Sequence, residues 1–467
     1  MTDLAADYLE TYSRLCEEKK AFNIRSLRST LENSIASGTY PEHFKLNGNS
    51  TELCHTRIND DYLEIIVTPM RGGGFLRLLD LSYNHIGDRG AKLIGDLLKD
   101  DVQLEVLNLV SNNIGSEGAG AIARALHVND KLHTLNIGDN PLTDDGGMHF
   151  AEMLQINTTL RTLHLPHTSL RSTSLIAFST VLRNNTSLQT LNIANNATHS
   201  SSLSQSLQND TMMHISRMMC LNYTLRNIEL AKMGITDWIC VEYLSKAIRT
   251  NMRLTSLDLS CNRISRDGGV AIFKSIHKHP SLAILKLSNC AVQDEGAEAA
   301  AEMIGNNFTL KSLYMDHNAI TGKGLIALAN SFSKNMSLKQ ITLWGNKWDT
   351  PACEAWTSLL GGPIYSTSYG DDLSGYVSKP GAPFPPNGRK LVMEHAQLSA
   401  FKHDAETQAK DHKAQGHPSA TSLRLASLQE AATKVPPRLR ESDVDVVFYC
   451  VEEVLNVAQR ELEGDAT

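Results

Sequence analysis

The chain has 467 residues, with 44 Lys and Arg against 51 Asp and Glu, so its formal net charge is -7. This acidic balance argues against a general binder of the nucleic-acid backbone, which needs a basic surface. No run approaches the roughly 18 apolar residues of a membrane-spanning helix, and the charged N-terminus lacks the apolar core of a secretory leader. Eight cysteines lie scattered without a C-x-x-C pair, which favours reduced thiols in a cytosolic-type compartment.

The first 43 residues are predicted to form an N-terminal helical cap. Apolar and tyrosine side chains recur there at helical spacing, at Leu4, Tyr8, Leu9, Tyr12 and Leu15. A repeat array exposes an apolar face at each end unless another element covers it. We therefore expect this helix to close the start of the array that follows.

A repeat dominates the middle of the chain. From Leu76 the pattern L-x-x-L-x-L-x-x-N-x-I recurs ten times at intervals of 28 residues, except for one of 37 and one of 29. Each copy predicts a short strand with inward Leu or Ile, and then a helix. The chain is therefore predicted to form an α/β leucine-rich-repeat solenoid over 44–360, a horseshoe with parallel strands on the concave face and helices on the convex face. An incomplete copy around Asn49 precedes the ten clear repeats.

The turn after each strand is usually marked by an Asn, whose amide can satisfy unpaired backbone donors and acceptors. Stacked copies predict a structural ladder made of Asn84, Asn112, Asn140, Asn196, Asn262, Cys290, Asn318 and Asn346. Thr168 and Met233 replace Asn in two middle repeats, and Cys290 is expected to be structural and buried. In most repeats a Gly follows six residues later, where it would let the helix start lie close to its neighbour.

Nine extra residues lie between Asn196 and Met233, in the Ser-rich stretch 197–213. A Ser-rich insert predicts a surface loop, which is either a tolerated loop or a partner contact. Two histidines, His277 and His279, stand beside Pro280 and are expected in a solvated turn rather than a metal site.

Beyond the array, 361–390 is rich in Gly, Pro and Tyr and predicts an extended linker. The rest of the chain, 391–467, is predicted to be a helical C-terminal extension. Its last part carries an apolar stripe at helical spacing that includes Val447, Phe448, Val451, Val454 and Leu455. This helix either folds back on its own solenoid or docks onto another protein chain.

The sequence contains no motif that predicts catalysis. HExxH, G-x-S-x-G, a dinucleotide-binding glycine turn and clustered Cys/His spacing are all missing, so no catalytic, cofactor-binding or metal-ligating residue is predicted. A rigid face of strands favours protein binding instead, and no small-molecule, nucleic-acid or membrane partner is expected. Together with the apolar stripe of the tail, the candidate partner-binding residues are Asp258, Lys286, Tyr314, Asp316 and Trp344.

Three stretches resemble one family. GGMHFAEMLQINTTL (146–160), LWGNKWDTPACEAWTSLL (343–360) and STSYGDDLSGY (366–376) are similar to the family of leucine-rich repeat-containing protein thirty-four, which has repeats of the ribonuclease-inhibitor type. The resemblance implies a non-enzymatic scaffold in a large assembly, the cytoplasmic axoneme of cilia and flagella, with the nucleolus as a second location. The alternative is a cytosolic or nuclear regulator, either ribonuclease-inhibitor-like or an adaptor like the Ran-type GTPase activators.

Overall fold

The computed structural model describes residues 3–71, 74–100, 103–196, 202–349, 351–352 and 355–356. The chain forms two compact units, Met1–Cys290 and Ala291–Thr467. In both units each repeat contributes one short strand followed by one helical segment. The predicted α/β leucine-rich-repeat solenoid fold is therefore confirmed.

The first unit contains a parallel sheet in which each three-residue strand pairs with the next one along the chain. Its strands are β1 His43–Lys45, β2 Leu78–Asp80, β3 Val106–Asn108, β4 Thr134–Asn136, β5 Thr162–His164, β6 Thr190–Asn192, β7 Asn227–Glu229, β8 Ser256–Asp258 and β9 Ile284–Lys286. The register follows the repeat, so that Leu79 pairs with Leu107. The central residue of each strand is buried against the helices, because side chains alternate between the two faces of a strand.

The helices of the first unit begin with two that precede the first strand and continue with those that follow the strands. They are α1 Asp3–Glu18, α2 Arg25–Ser37, α3 Asp60–Val67, α4 Asp88–Lys99, α5 Ser116–Leu126, α6 Thr143–Met153, α7 Ser172–Leu182, α8 Ser202–Leu221, α9 Asp237–Ile239, α10 Ser245–Thr250 and α11 Arg266–Ile276. From α3 to α8 each helix packs on the next one. The core is the layer of Leu and Ile side chains between the strands and these helices.

The helix α1 packs over the first strand. Tyr8 and Tyr12 are fully buried, and the hydroxyl of Tyr8 donates a hydrogen bond to the carbonyl of Ile66 at 2.8 Å. The ring of Tyr8 also meets the ring of Phe44 edge-on at 5.5 Å. Aromatic side chains of α1 and β1 therefore fill the start of the core.

The long interval between Asn196 and Met233 is taken up mainly by helix. The expectation of a loop is wrong for 202–213, which form the first part of α8, while 197–201 lie outside the described residues. Helix α8 has 20 residues against 11 in α7, and this difference equals the length of the insertion. Met212, Ile215 and Met219 are buried at helical spacing, and this apolar stripe outweighs the Ser-rich composition.

The 29-residue interval has a different structural solution. Residues Cys240–Leu244 form a π-helical turn between α9 and α10. A π-turn accommodates one additional residue within a helix without shifting the flanking turns out of register. The strands on either side therefore keep the same pairing as those of the regular repeats.

The second unit contains strands β10 Ser312–Tyr314 and β11 Gln340–Thr342, which pair in parallel, and helices α12 Gln293–Asn306 and α13 Gly322–Lys334, which pack together. Trp356 is completely buried, and its indole N–H donates to the carbonyl of Leu325 at 3.0 Å. The predicted linker 361–390, the predicted extension 391–467 and the tail candidates Val447, Phe448, Val451, Val454 and Leu455 lie outside the described residues.

Candidate functional site

The turn after most strands is held by the predicted ladder residue. Asn112 is representative: it is 5% exposed, and its amide Nδ2 donates to the carbonyls of Leu81 and Leu109, both at 3.0 Å. Its Oδ1 accepts from the backbone N–H of Ile86 at 3.0 Å. One side chain therefore satisfies backbone groups of two successive repeats, which would otherwise be buried without partners.

Other ladder residues make the same kinds of contact, with local variations. An amide donates to a backbone carbonyl and accepts from a backbone N–H at Asn84, Asn140, Asn196, Asn262, Asn318 and Asn346. The expectation that Cys290 is buried is wrong, because it is half-buried, with Sγ 3.6 Å from the carbonyl of Leu259. Asn49 occupies the equivalent position of the first repeat but is exposed, and it accepts from Arg57 at 2.9 Å.

A second row of side chains holds the opposite turns, where each helix leads into the next strand. Asn157 is representative: its Nδ2 donates to the carbonyl of Leu126 at 2.7 Å, and its Oδ1 accepts from the N–H of Leu160 at 2.8 Å. The same geometry recurs at Asn129, Asn185, Asn222, Asn251 and Asn335. This second row therefore satisfies backbone groups at these turns as the ladder does at the opposite ones.

His279 takes the place of Asn in one of these turns. It is 4% exposed, so the expectation of a solvated turn is wrong for this residue. Its Nδ1 accepts from the N–H of Leu282 at 3.0 Å, as the Asn oxygen does elsewhere. Burial lowers the pKa of His279, which favours the neutral ring that can accept this bond.

A third row caps the helices from the preceding repeat. Asp144, at the start of α6, accepts from the N–H of Arg171 and from the N–H of Ser174 at the start of α7, both at 3.0 Å. Burial opposes ionisation of Asp144, but the hydrogen bonds from Ser174 and Arg171 prevail and lower the pKa of its carboxyl. The same arrangement is found at Asp60, Asp88, Asp237 and Asp294.

Glycine at the helix start leaves room for this carboxylate. A Cβ atom added at Gly118 would lie 2.6 Å from Oδ1 of Asp88 and 2.8 Å from Cβ of Ala91. These separations are shorter than van der Waals contact, so a larger residue would displace the capping group. The Gly that recurs in the sequence therefore serves the contact between neighbouring helices.

The outer face of the sheet is the candidate binding surface of the first unit. Most of its outward side chains are half-buried, and several of them bond across neighbouring strands. Asn108 Nδ2 donates to Asp80 Oδ1 at 2.9 Å, and Asn192 Nδ2 donates to Glu229 Oε2 at 2.6 Å. Burial lowers the pKa of His164, while the charge of Glu229 opposes that shift. The face thus presents polar groups whose positions are already set.

Two of the predicted site residues lie on this face of the first unit. Asp258 is only 8% exposed, and Nζ of Lys286 lies 3.3 Å from its Oδ2. Oδ1 of Asp258 accepts from the N–H of Ser260 at 2.9 Å. Asp258 is therefore engaged within the repeat, and Lys286 is the more accessible member of the pair.

The other three predicted residues lie together in the second unit. The hydroxyl of Tyr314 donates to Oε1 of Gln340 at 3.2 Å. The carboxylate of Asp316 accepts from the hydroxyl of Thr342 at 2.6 Å and from the N–H of Trp344 at 2.8 Å. Asp316 thus fixes the backbone that carries Trp344, and both aromatic side chains are half-exposed.

Metal-ligating side chains are dispersed in the described part of the chain, and burial perturbs two of its thiols. No group of three or more His, Cys, Asp or Glu that could hold a metal ion occurs among them. Burial raises the pKa of Cys290 to about 11, and it raises that of Cys240 further. A thiol with a raised pKa is a poor nucleophile near neutral pH. In the same part of the chain no helix is long and apolar enough to cross a membrane.

Comparison with known proteins agrees with this geometry. A family model described as a leucine-rich repeat matches six segments, 75–95, 104–123, 128–151, 250–273, 278–299 and 306–329. No curated protein matches the chain.

Solved structures similar to the chain include the complex of Rad7 and Elc1 from yeast, at 17% identity and a TM-score of 0.41, covering 75% of this chain and 85% of that one. Actin-binding site 2 of leiomodin-1 is similar at 15% identity and a TM-score of 0.26, with coverage of 40% and 86%. The tropomodulin C-terminal domain of Caenorhabditis elegans is similar at 16% identity and a TM-score of 0.26, with coverage of 40% and 90%.

Proposed function

We propose that this leucine-rich-repeat protein is a non-enzymatic scaffold that binds other proteins through the outer face of its strands. The observation that carries the proposal is the set of hydrogen bonds that joins outward side chains of neighbouring strands, such as Asp80 with Asn108 and Asn192 with Glu229. Side chains that are already ordered lose little conformational entropy on association. A face built in this way suits the binding of a folded partner.

Tyr314 and Trp344 form the principal contact of the second unit in this proposal. Aromatic side chains dominate binding energy at interfaces, because they bury a large area with few rotatable bonds. Both are half-exposed, and their backbones are held by a paired strand and by Asp316. They can therefore meet a partner without a prior rearrangement.

The assembly that we propose is the axoneme of cilia and flagella. Support comes from the resemblance of 146–160, 343–360 and 366–376 to the family of leucine-rich repeat-containing protein thirty-four. The many partners of an axonemal assembly suit a long face of repeated strands. The nucleolus is the second location that the same resemblance implies.

The alternative of a ribonuclease inhibitor has less support. A partner that is a basic enzyme calls for a strongly acidic face. In the first unit the face instead mixes Asp80, Glu229 and Asp258 with Lys45 and Lys286. The Ran-type activator is the other alternative, and stimulation of GTP hydrolysis by Ran on addition of the purified chain would favour it over the scaffold.

Detergent extraction of flagella from cells that express the tagged full-length chain tests the proposal. We expect the wild-type chain to remain with the extracted axoneme. The double variant Tyr314→Ala with Trp344→Ala should reduce this retention at least about fivefold, because it removes two aromatic contacts. Phe308→Ala is the matched control, since Phe308 is 70% exposed in the same unit but lies in the turn between α12 and β10 rather than on the strand face.

The outcomes separate the two parts of the proposal. Full solubility of the wild-type chain would reject the axonemal location. Equal retention of the double variant and the wild type would reject the strand face as the binding surface of the second unit. Thermal melting of each purified variant distinguishes loss of binding from loss of folding.

A further inference from the structure

Three successive turns of the first unit, each leading from a helix into a strand, form a surface that the strand face does not include. They directly follow α8, α10 and α11. Nδ2 of Asn251 donates to the carbonyl of Met219 at 2.7 Å, and the hydroxyl of Ser281 donates to the carbonyl of Leu254 at 2.9 Å. The three turns therefore lie side by side. We call 217–226, 246–253 and 274–280 together the basic strip.

The basic strip carries cations and no carboxylates. Its basic residues are Arg217, Arg226, Lys246, Arg249, Arg253, Lys274 and Lys278. None of them forms an ion pair with a carboxylate in the described part of the chain, although other surface cations of the protein do. All but Arg226 are exposed. A chain whose net charge is -7 thus has a concentrated positive surface at this place.

The ends of the helices do not explain this concentration. Cations near a helix C-terminus interact favourably with its partial negative charge. However, α6 and α7 have no basic residue in their last turn, and Arg183 alone follows α7 as its C-cap. Arg253 and Lys278 also lie beyond the ends of α10 and α11. Helix stability therefore accounts for part of the charge at most.

Large apolar side chains stand among the cations. Leu221 is 53% exposed, Tyr223 is 61% exposed and Met252 is 62% exposed. Each lies directly beside a buried Asn of the second row, Asn222 or Asn251, which fixes its backbone. Exposed apolar side chains also stand in equivalent turns outside the strip, at Val128 and Ile156, so it is their combination with the cations that distinguishes the basic strip.

The backbone of the basic strip is not arranged to bind phosphate. Phosphate sites use clusters of free backbone N–H groups. Here the N–H groups of Thr224 and Leu225 are taken by Asn222, and that of Leu254 is taken by Asn251. At these positions the side chains of the strip are left to meet an anion, and the apolar groups would gain nothing from a phosphate backbone.

We propose that the basic strip docks an acidic amphipathic helix of a partner protein. Packed helices are about 8–10 Å apart and neighbouring strands about 5 Å apart, so the turns between them repeat at an intermediate distance. An α-helix rises about 5.4 Å per helical turn. Apolar residues at i, i+3, i+4 and i+7 of a partner helix can therefore contact the successive chain turns of the basic strip. Glu and Asp on the flanks of such a helix would meet the cations.

Fluorescence anisotropy with the full-length chain tests this assignment. The probe is a labelled helical peptide of about 21 residues with Leu at i, i+3, i+4 and i+7 and Glu on its flanks. We expect it to bind, and we expect its affinity to fall with added salt. The triple variant K246E, R249E and R253E should weaken binding at least about tenfold, because three attractive contacts become repulsive. The neutral variant K246Q, R249Q and R253Q should lie between the two.

The matched control reverses Arg124 and Lys131, which lie around an earlier turn of the same unit, and should change the affinity less than about twofold. An equal loss in this control would overturn the assignment, as would no binding of the probe to the wild-type chain. A peptide of the same composition with dispersed leucines should bind at least about tenfold more weakly, and equal binding would also overturn it. Displacement of the probe by anionic vesicles or poly(U) RNA, dependent on Lys246, Arg249 and Arg253, would assign the surface to a lipid or a nucleic acid instead.

Discussion

Asp144→Ala tests the idea that each repeat caps the next one. The carboxylate of Asp144 accepts three hydrogen bonds at the start of α7, from the N–H of Arg171, the N–H of Ser174 and the hydroxyl of Ser174. The N-cap residue of α7 provides no side-chain hydrogen bond of its own. Removing the carboxylate therefore leaves the first turn of α7 without a capping group.

The expected magnitude follows from these contacts. Loss of a helix cap costs about 0.5–2 kcal/mol, and a hydrogen bond to a charged group contributes about 1.5–3 kcal/mol. Asp144 is partly accessible, so water replaces some of what is lost. We expect the free energy of unfolding to fall by about 2 kcal/mol, toward the upper end of the capping range. Exchange of the Arg171 and Ser174 amide hydrogens should then become about 30-fold faster, since each 1.4 kcal/mol is a factor of ten.

The same variant predicts a direction for the pH dependence. The pKa of Asp144 is lowered in the folded chain, so its contribution is fully present above the unfolded value of about 4. The contribution is lost as the pH falls through the folded value. The difference in unfolding free energy between the wild type and Asp144→Ala should therefore be largest at neutral pH and should shrink toward pH 3.

Hydrogen exchange followed by mass spectrometry, together with urea unfolding, measures both effects. Asp145→Ala is the matched control, because Asp145 lies in the same helical turn of α6 but is exposed. A surface change of this kind shifts stability by about 0.5 kcal/mol at most. Equal effects of the two variants would refute capping by the preceding repeat. So would an Asp144→Ala variant whose loss of stability does not depend on pH.

Two further predictions concern the framework. Asn112→Ala leaves buried backbone groups of two repeats without partners. It should lower the free energy of unfolding in urea by about 3 kcal/mol. Asn113→Ala, at an exposed position, should have almost no effect on this free energy. Gly118→Ala should destabilise the folded chain by about 1–3 kcal/mol, because its Cβ would overlap three neighbouring atoms. Gly305→Ala, whose Cβ would have nothing within 4 Å, should stabilise α12 by up to about 1 kcal/mol. Effects of equal sign for the two glycine variants would contradict the packing explanation.

The repeat pattern was sufficient to predict the strands, the helices and the order of pairing, because every copy must bury the same Leu and Ile positions. Capping by the preceding repeat was missed, since it joins residues 27–30 positions apart in sequence. An aligned column of Asp residues at the helix starts could have revealed it. The Ser-rich composition of the insert favours a loop, but the helical spacing of the buried Met212, Ile215 and Met219 outweighs it.

The candidate site was predictable only in outline. Alternation along the strand correctly predicts that Asp258 lies on the outer face. It does not predict that Lys286 on the next strand covers Asp258. Accessibility depends on the pair of side chains across two strands, and one repeat does not contain that information. The basic strip is not apparent from the sequence for a similar reason, because its cations come from three separate repeats.

The framework and the proposed binding surfaces use different side chains of the same turns. Asn251 points inward and bonds the backbone of two repeats, while its neighbours Met252 and Arg253 point outward. Substitutions at outward positions therefore leave the hydrogen-bonded rows intact. For this reason R253E can report on binding with little change in stability, whereas Asn251→Ala should unfold the turn and abolish binding for a structural reason. A loss of binding in R253E that coincided with the loss of stability seen in Asn251→Ala would show that this separation does not hold.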